Sequence, residues 1–87
     1  MKEIECYILT SKYYDRDSNV SVYLNKKDAY KAMINELVTE IINLENSGYS
    51  NSEYSFRSMR EDLLATLYVP YSDIYFYWNI EVSKIII

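Results

Sequence analysis

The residues in this chain that could do chemistry are few, and their spacing fits no reaction. There is no histidine, so the commonest general base, metal ligand and phosphoryl carrier is missing. The single cysteine, Cys6, can form no intramolecular disulfide and has no imidazole to activate it. It falls on the core-facing side of a strand-like pattern and reads as a small buried hydrophobe. Asp15-Arg16-Asp17-Ser18-Asn19 opens like a calcium loop. Val20 then stands where the turn glycine belongs, and Lys26 where the bidentate glutamate belongs. A solvated hairpin turn is the simpler reading. Glu61-Asp62 and Glu3/Glu5 place carboxylates in pairs, but nothing near them in sequence would separate their pKa values, as acid–base catalysis requires. They read as surface charge. With one glycine in the chain, no phosphate-cradling loop can be built from glycines. The expectation is a non-enzyme with no metal and no cofactor.

What the chain has in quantity is tyrosine: eleven of 87 residues, against one glycine and one proline. A tyrosine carries a flat apolar ring with a polar tip, which suits half-buried positions on a sheet or at an interface. AT-rich coding also enriches Tyr, Asn, Ile and Lys together, so composition alone does not separate the two origins. The net charge is −4, and the only adjacent basic pair is Lys26-Lys27. Phosphate neutralisation needs clustered cations, so direct nucleic-acid binding is disfavoured and a basic protein partner is favoured. Residues 1–3 open straight into a strand pattern with no secretory apolar segment, and no apolar run reaches the ~20 residues of a membrane span. These features suggest a cytoplasmic setting, in a bacterium or a phage-infected host cell.

The elements that would position these side chains follow from hydrophobic periodicity. The length makes one domain over residues 1–87. Ile4, Cys6 and Ile8 alternate with Glu3, Glu5, Tyr7 and Leu9, a strand with one buried face. A polar turn at 15–19 leads to a second strand, in which Val20, Val22 and Leu24 alternate with Ser21 and Tyr23. Asn25 then stands as a helix N-cap, with Asp28 three residues on completing a capping-box-like pair. Ala29, Tyr30, Met33, Ile34, Leu37, Val38, Ile41 and Leu44 form one apolar stripe. Lys31, Asn35, Glu36, Thr39, Glu40 and Asn43 cover the other side. This helix should run to about Asn46 and stop at Gly48.

Residues 47–55 read as a loop. Phe56, Met59, Leu63 and Leu67 have helical spacing, and Ser58-Met59-Arg60-Glu61 matches a capping box, so a short second helix is predicted near 56–64. Ala65 to Val69 could equally begin a strand. After a turn at Pro70-Tyr71-Ser72-Asp73 comes the cleanest alternation: Ile74, Phe76, Trp78, Ile80 and Val82 against Tyr75, Tyr77, Asn79, Glu81 and Ser83. A strand with so heavy an apolar face belongs in the middle of a sheet, with its register firmly fixed. The predicted fold is α+β: a four-stranded antiparallel sheet of two hairpins, in ββα(α)ββ order, packed on one long helix with a short second helix.

Two surfaces follow as candidate binding sites. If the helix covers one sheet face, the other would carry Tyr7, Tyr23, Tyr75 and Tyr77 with Glu5, Asn79 and Glu81. The second is acidic: Asp15, Asp17 and Asp28 near the hairpin end, with Glu36, Glu40 and Glu45 along the helix. In size, acidity, AT-rich composition and the ββαββ-like plan closed by Trp78-Asn79-Ile80-Glu81-Val82, the chain resembles the small acidic proteins encoded by phages and mobile elements, of which the anti-CRISPR inhibitors are the best-known group. The resemblance implies a non-catalytic inhibitor that occludes the basic nucleic-acid-binding surface of a protein target. The alternative is a structural or assembly module that forms a homodimer through the tyrosine-rich sheet face.

Overall fold

The computed structural model describes residues 2–14, 16–59, 61 and 63–87, with the backbone alone at Arg16 and Asp17. Asp15, Asp62, the Asp17 side chain and the Arg60 member of the capping box therefore lie outside the described residues. In chain order the elements are β1 (Glu3–Tyr13), β2 (Arg16–Tyr23), α1 (Lys26–Asn46), β3 (Ser55–Met59), β4 (Leu64–Tyr68) and β5 (Tyr75–Ile86). They make an α+β layer pair: one helix on one antiparallel sheet of order β2-β1-β5-β4-β3.

Two expectations need correction. The sheet has five strands, not four, and β3 and β4 pair antiparallel where a second helix was predicted near 56–64. The physical reason lies in β5. Phe76, Trp78 and Ile80 are all buried on one of its faces, and burying them requires a neighbouring strand on each side. β1 supplies one neighbour, pairing Leu9 with Ile80 and Ser11 with Trp78. β4 supplies the other, pairing Ala65 with Trp78 and Leu67 with Phe76. The backbone hydrogen bonds offered by β5 outweigh the weak local helical spacing. The expected central place of β5 and its turn both stand. Val69 N donates to the Ile74 carbonyl at 3.1 Å, and Ser72 Oγ donates to the Val69 carbonyl at 2.7 Å.

The first hairpin is tighter than expected. β2 already begins at Arg16, and β1 carries a register irregularity between Ser11 and Tyr13. Residues 16–23 are therefore in a strand, paired with β1 at Arg16 and from Asn19 to Tyr23, which is incompatible with the coiled twelve-residue conformation of a calcium loop.

α1 matches its sequence signals. Asn25 takes extended dihedrals and its Oδ1 accepts Lys27 N–H at 2.8 Å, an N-cap bond. At the other end Gly48 has φ +102. Gly48 N donates to the Glu45 carbonyl and Tyr49 N to the Leu44 carbonyl, both at 3.1 Å, the reciprocal pair of a Schellman stop. Ala29, Met33, Leu37 and Leu44 are buried against the sheet, with Leu9, Ala65, Leu67, Phe76 and Trp78 in the same core cluster. Val38 departs from the expected stripe and is exposed, as is Ile42.

The protein measures 53 × 23 × 19 Å. A 21-residue helix accounts for only about 31 Å of that length. Much of the remainder is a two-stranded ribbon. β2 pairs with β1 only from Tyr7 onward, and β4 pairs with β5 only as far as Asn79. Residues 3–6 and 83–86 pair with each other alone.

Candidate functional site

Strand parity and the position of α1 decide which side chains share a surface. Leu9, Ser11 and Tyr13 of β1 stand opposite Ile80, Trp78 and Phe76 of β5. Those partners are buried core residues, so the odd residues of β1 face the helix. Tyr7 is paired with Tyr23, and both pack against the core cluster. Glu5, two residues from Tyr7, shares its parity. Tyr7, Tyr23 and Glu5 are thus on the helix side, which corrects their expected place on the open face.

The even residues make the uncovered face. Four cross-strand rows can be traced through the register: Met59–Leu64–Asn79–Thr10–Val20, Arg57–Thr66–Tyr77–Lys12, Ser55–Tyr68–Tyr75 and Glu81–Ile8–Val22. Tyr75, Tyr77, Asn79 and Glu81 therefore lie where the sequence placed them. In place of Tyr7 and Tyr23 stand Ile8, Val20 and Val22, the residues expected in the core. Val20 is 63% exposed and Val22 57%. Five strands about 4.8 Å apart and five to six residues long give the face a plan area of roughly 400 Å². Cys6 is also on this face, opposite Ser83, and is buried. Its expected burial holds, but the helix is not what covers it.

The acidic candidates do not form one surface. Asp28 sits in the first turn of α1, just past the Tyr23 end of β2, whereas the Asp17 backbone belongs to the opposite end. The eight residues of β2 separate those ends by about 25 Å. Glu36 is corrected from solvated helix face to interior staple. Its Oε1 accepts Ser11 Oγ–H at 2.9 Å and Tyr13 Oη–H at 3.0 Å. Ser11 is only 2% exposed, so the carboxylate satisfies a hydroxyl that has no water to turn to. Glu40 is half-buried beside it, and with Tyr13, Asn35, Glu36 and Thr39 it lines a cavity of about 190 Å³. Glu45 is engaged as well, accepting Tyr54 Oη–H at 2.6 Å.

The Glu36 staple perturbs its phenol. Burial raises the Tyr13 pKa above its usual 10.0, and the nearby Glu36 charge and the hydrogen bond to it push the same way. The adjacent Trp78 indole N–H works in the opposite direction. That indole is fully buried and edge-on to Tyr13 at 6.0 Å between ring centroids. Tyr54 is raised too, first by its bond to Glu45. Glu53 is held below the usual 4.5 by hydrogen bonds from the Ser50 backbone N–H and hydroxyl.

The sequence reading missed both the Ser11–Tyr13–Glu36 staple and the Val20/Val22 patch. A signal for the staple existed: a Ser and a Tyr at i, i+2 on the strand face that must meet a helix, with a Glu within reach of the helix stripe. Among the described residues no group of three or more Cys, Asp or Glu side chains is placed to hold a metal ion. No helix is long and apolar enough to cross a membrane. Compared with protein-family models, curated proteins and solved structures, the chain finds no match in any of the three.

Proposed function

We propose that this protein acts by binding another protein, without catalysis, through the uncovered sheet face. The observation that carries the reading is the apolar and aromatic composition of that face. Val20, Val22, Tyr68 and Tyr75 are exposed on it, around the half-buried Ile8 and Tyr77. Aromatic and β-branched side chains on a rigid sheet bind at low entropic cost, since the backbone is already ordered and the rings have few rotamers. The face itself is close to neutral, with Lys12 and Arg57 against Glu81. The net charge of −4 therefore acts at longer range, attracting a partner of positive overall charge, while the contact itself is apolar.

Small size and acidic charge are shared with small phage-encoded inhibitors, and they support an inhibitory role. In that role the protein would occlude a functional surface of a basic, nucleic-acid-processing protein. The near balance of charge on the face favours one second reading, a homodimer formed through the same face.

The test is a photo-crosslinking amino acid installed singly at Val20, Val22 and Tyr75, and at Lys31 on the helix, in extract from the native host. The expected result is one common adduct from the three sheet positions and none from Lys31. Adducts from Lys31 alone, or no adduct anywhere, would remove the binding reading. An adduct to an acidic protein would remove the inhibitor of a basic target, and an adduct to a second copy would select the homodimer.

A further inference from the structure

The ribbon beyond the helix has unfinished hydrogen bonding. Lys2 N donates to the Ile87 carbonyl at 2.8 Å and Ile87 N to the Lys2 carbonyl at 2.9 Å. Lys2–Ile87 is thus a mutually bonded pair, and in an antiparallel ladder such pairs alternate. Tyr14 N donating to the Tyr75 carbonyl keeps the same phase at the far end of the strands. The odd residues of β5 therefore bond to β1, and its even residues point the other way. Ile80 N confirms the phase by donating to the Leu63 carbonyl at 2.9 Å. Beyond that point the register with β4 has ended. The N–H and C=O groups of Val82, Lys84 and Ile86 consequently face outward along an edge with no strand beside it among the described residues.

The side chains on this edge are apolar. Val82, Ile85, Ile86 and Ile87 are all exposed. A two-stranded ribbon is marginal by itself in water, and a flat edge of β-branched residues is a template for pairing. Proline, one usual guard of an open edge, is missing from residues 82–86, and charge there is limited to one residue. The one charged side chain there, Lys84, is tied sideways to Glu3 at 3.6 Å.

We infer that this edge takes β5 of a second copy of the chain, antiparallel about a two-fold axis near Lys84. Three observations select a second copy. First, that axis sets Val82 opposite Ile86 of the partner subunit, and Ile86 opposite the partner's Val82, so both flanking pairs are β-branched. Second, the apparent clash of Lys84 with the partner's Lys84 is already compensated. Lys84 bonds Glu3 at 3.6 Å, so each ammonium already has a carboxylate beside it. Third, the geometry closes. Residues 75–79, flanked by β4, lie beyond the tip of the partner's ribbon, so the two helix-bearing bodies extend away from each other. Pairing Lys84 with itself and each Val82 with an Ile86 supplies about six backbone hydrogen bonds. It also turns two marginal ribbons into one four-stranded sheet.

The experiment uses the full chain, with sedimentation equilibrium and amide hydrogen exchange run over a dilution series. The expected mass is twice 10.4 kDa at high concentration. In the dimer the amides of Lys84 and Ile86 are protected. On dilution they exchange at least tenfold faster, while Ser83 and Ile85, bonded within the ribbon, stay slow.

Lys84→Pro removes an outward N–H and no intrachain ladder bond, so it should halve the mass with the Trp78 fluorescence unchanged. Ile86→Lys should do the same without altering the backbone. Val22→Lys, on the open face, should leave the dimer intact. A wild type that is monomeric throughout would overturn the inference and leave the edge to a strand from a different protein. A dimer that survives both edge variants, or is lost only with Val22→Lys, would overturn it as well. Those two outcomes leave the open-face reading above standing.

Discussion

Glu36 separates a binding carboxylate from a structural one, because the two roles predict different consequences of its removal. In Glu36→Ala two hydroxyls lose their acceptor. Ser11 Oγ is the costlier, since at 2% exposure no water can replace the carboxylate. Leaving a buried donor unsatisfied costs about 1–3 kcal/mol. The Tyr13 hydroxyl is half-buried and retains other contacts, so its loss adds roughly 0.5–1.5 kcal/mol. Replacing Glu by Ala within a helix returns only a few tenths of a kcal/mol. The expected net loss is about 2–4 kcal/mol, or some 10–20 °C in Tm for a chain of this length.

Urea unfolding followed by Trp78 fluorescence measures the change directly, because the indole is buried beside the staple. The deciding variant is Ser11→Ala. In the wild type it should cost about 1 kcal/mol. In the Glu36→Ala background it should recover stability, since the orphaned hydroxyl is gone. The coupling should be near 2 kcal/mol. If Glu36→Ala shifts stability by less than about 0.5 kcal/mol, as an ordinary surface substitution would, the staple is not holding the helix to β1. A coupling near zero would refute the reasoning even if the single variant were destabilised.

Three further outcomes follow from the geometry. Tyr13 and Tyr54 should ionise above 10.0 in an alkaline ultraviolet titration, because both phenols are raised from that value. A phenol raised in the fold contributes stability that is complete below pH 10 and lost as pH rises through its folded value, so unfolding should accompany their titration. Simultaneous ionisation of all the tyrosines with the fold intact would contradict the hydrogen bonds to Glu36 and Glu45. Gly48→Ala should cost about 1–2 kcal/mol from backbone conformation alone, since φ is +102 and a Cβ there meets no atom within 4 Å. A larger loss in chemical denaturation would mean an unseen clash. Cys6 should react with a soluble thiol reagent only at the rate of local opening, since it is 3% exposed. Immediate labelling of the native protein would contradict that burial.

The parts legible in sequence were those in which long periodicity and end signals agreed. α1 carried an N-cap, an apolar stripe and a glycine stop, and its bounds followed. β5 alternated over ten residues, too long a run for a helix to imitate, and its central position followed from the weight of Phe76 and Trp78. Residues 55–68 had neither advantage. Phe56, Met59, Leu63 and Leu67 are spaced by three and four, while the alternation within β3 and β4 spans only five residues each. Over so short a window the two periods cannot be told apart. What decided the outcome was the hydrogen-bonding edge of β5, which lies later in the chain. The acidic residues were misread for a related reason. Sequence shows which side of a helix a Glu is on, but not that Ser11 and Tyr13 wait across the gap for Glu36.

The inverted face of β1 is the most informative miss, because its cause and the proposed contacts are the same. Ile4, Cys6 and Ile8 set the apparent parity, and the natural inference is that an alternating apolar face marks the core. Two of those three residues belong to the ribbon, which lies beyond the helix and has no core to face. The part of β1 that meets α1 is the later part, where Leu9, Ser11 and Tyr13 have the opposite parity. The rule that apolar alternation points toward a buried surface is physically sound. It fails only if that surface must be supplied by the same chain. Ile4, Ile8, Val20 and Val22 obey the alternation yet find no cover in this fold, as do Val82 and Ile86 along the ribbon edge. A pattern placing apolar side chains on a strand with nothing to bury them is what contact with a further chain predicts. The sheet face and the ribbon edge are accordingly the two places at which such contact should be sought.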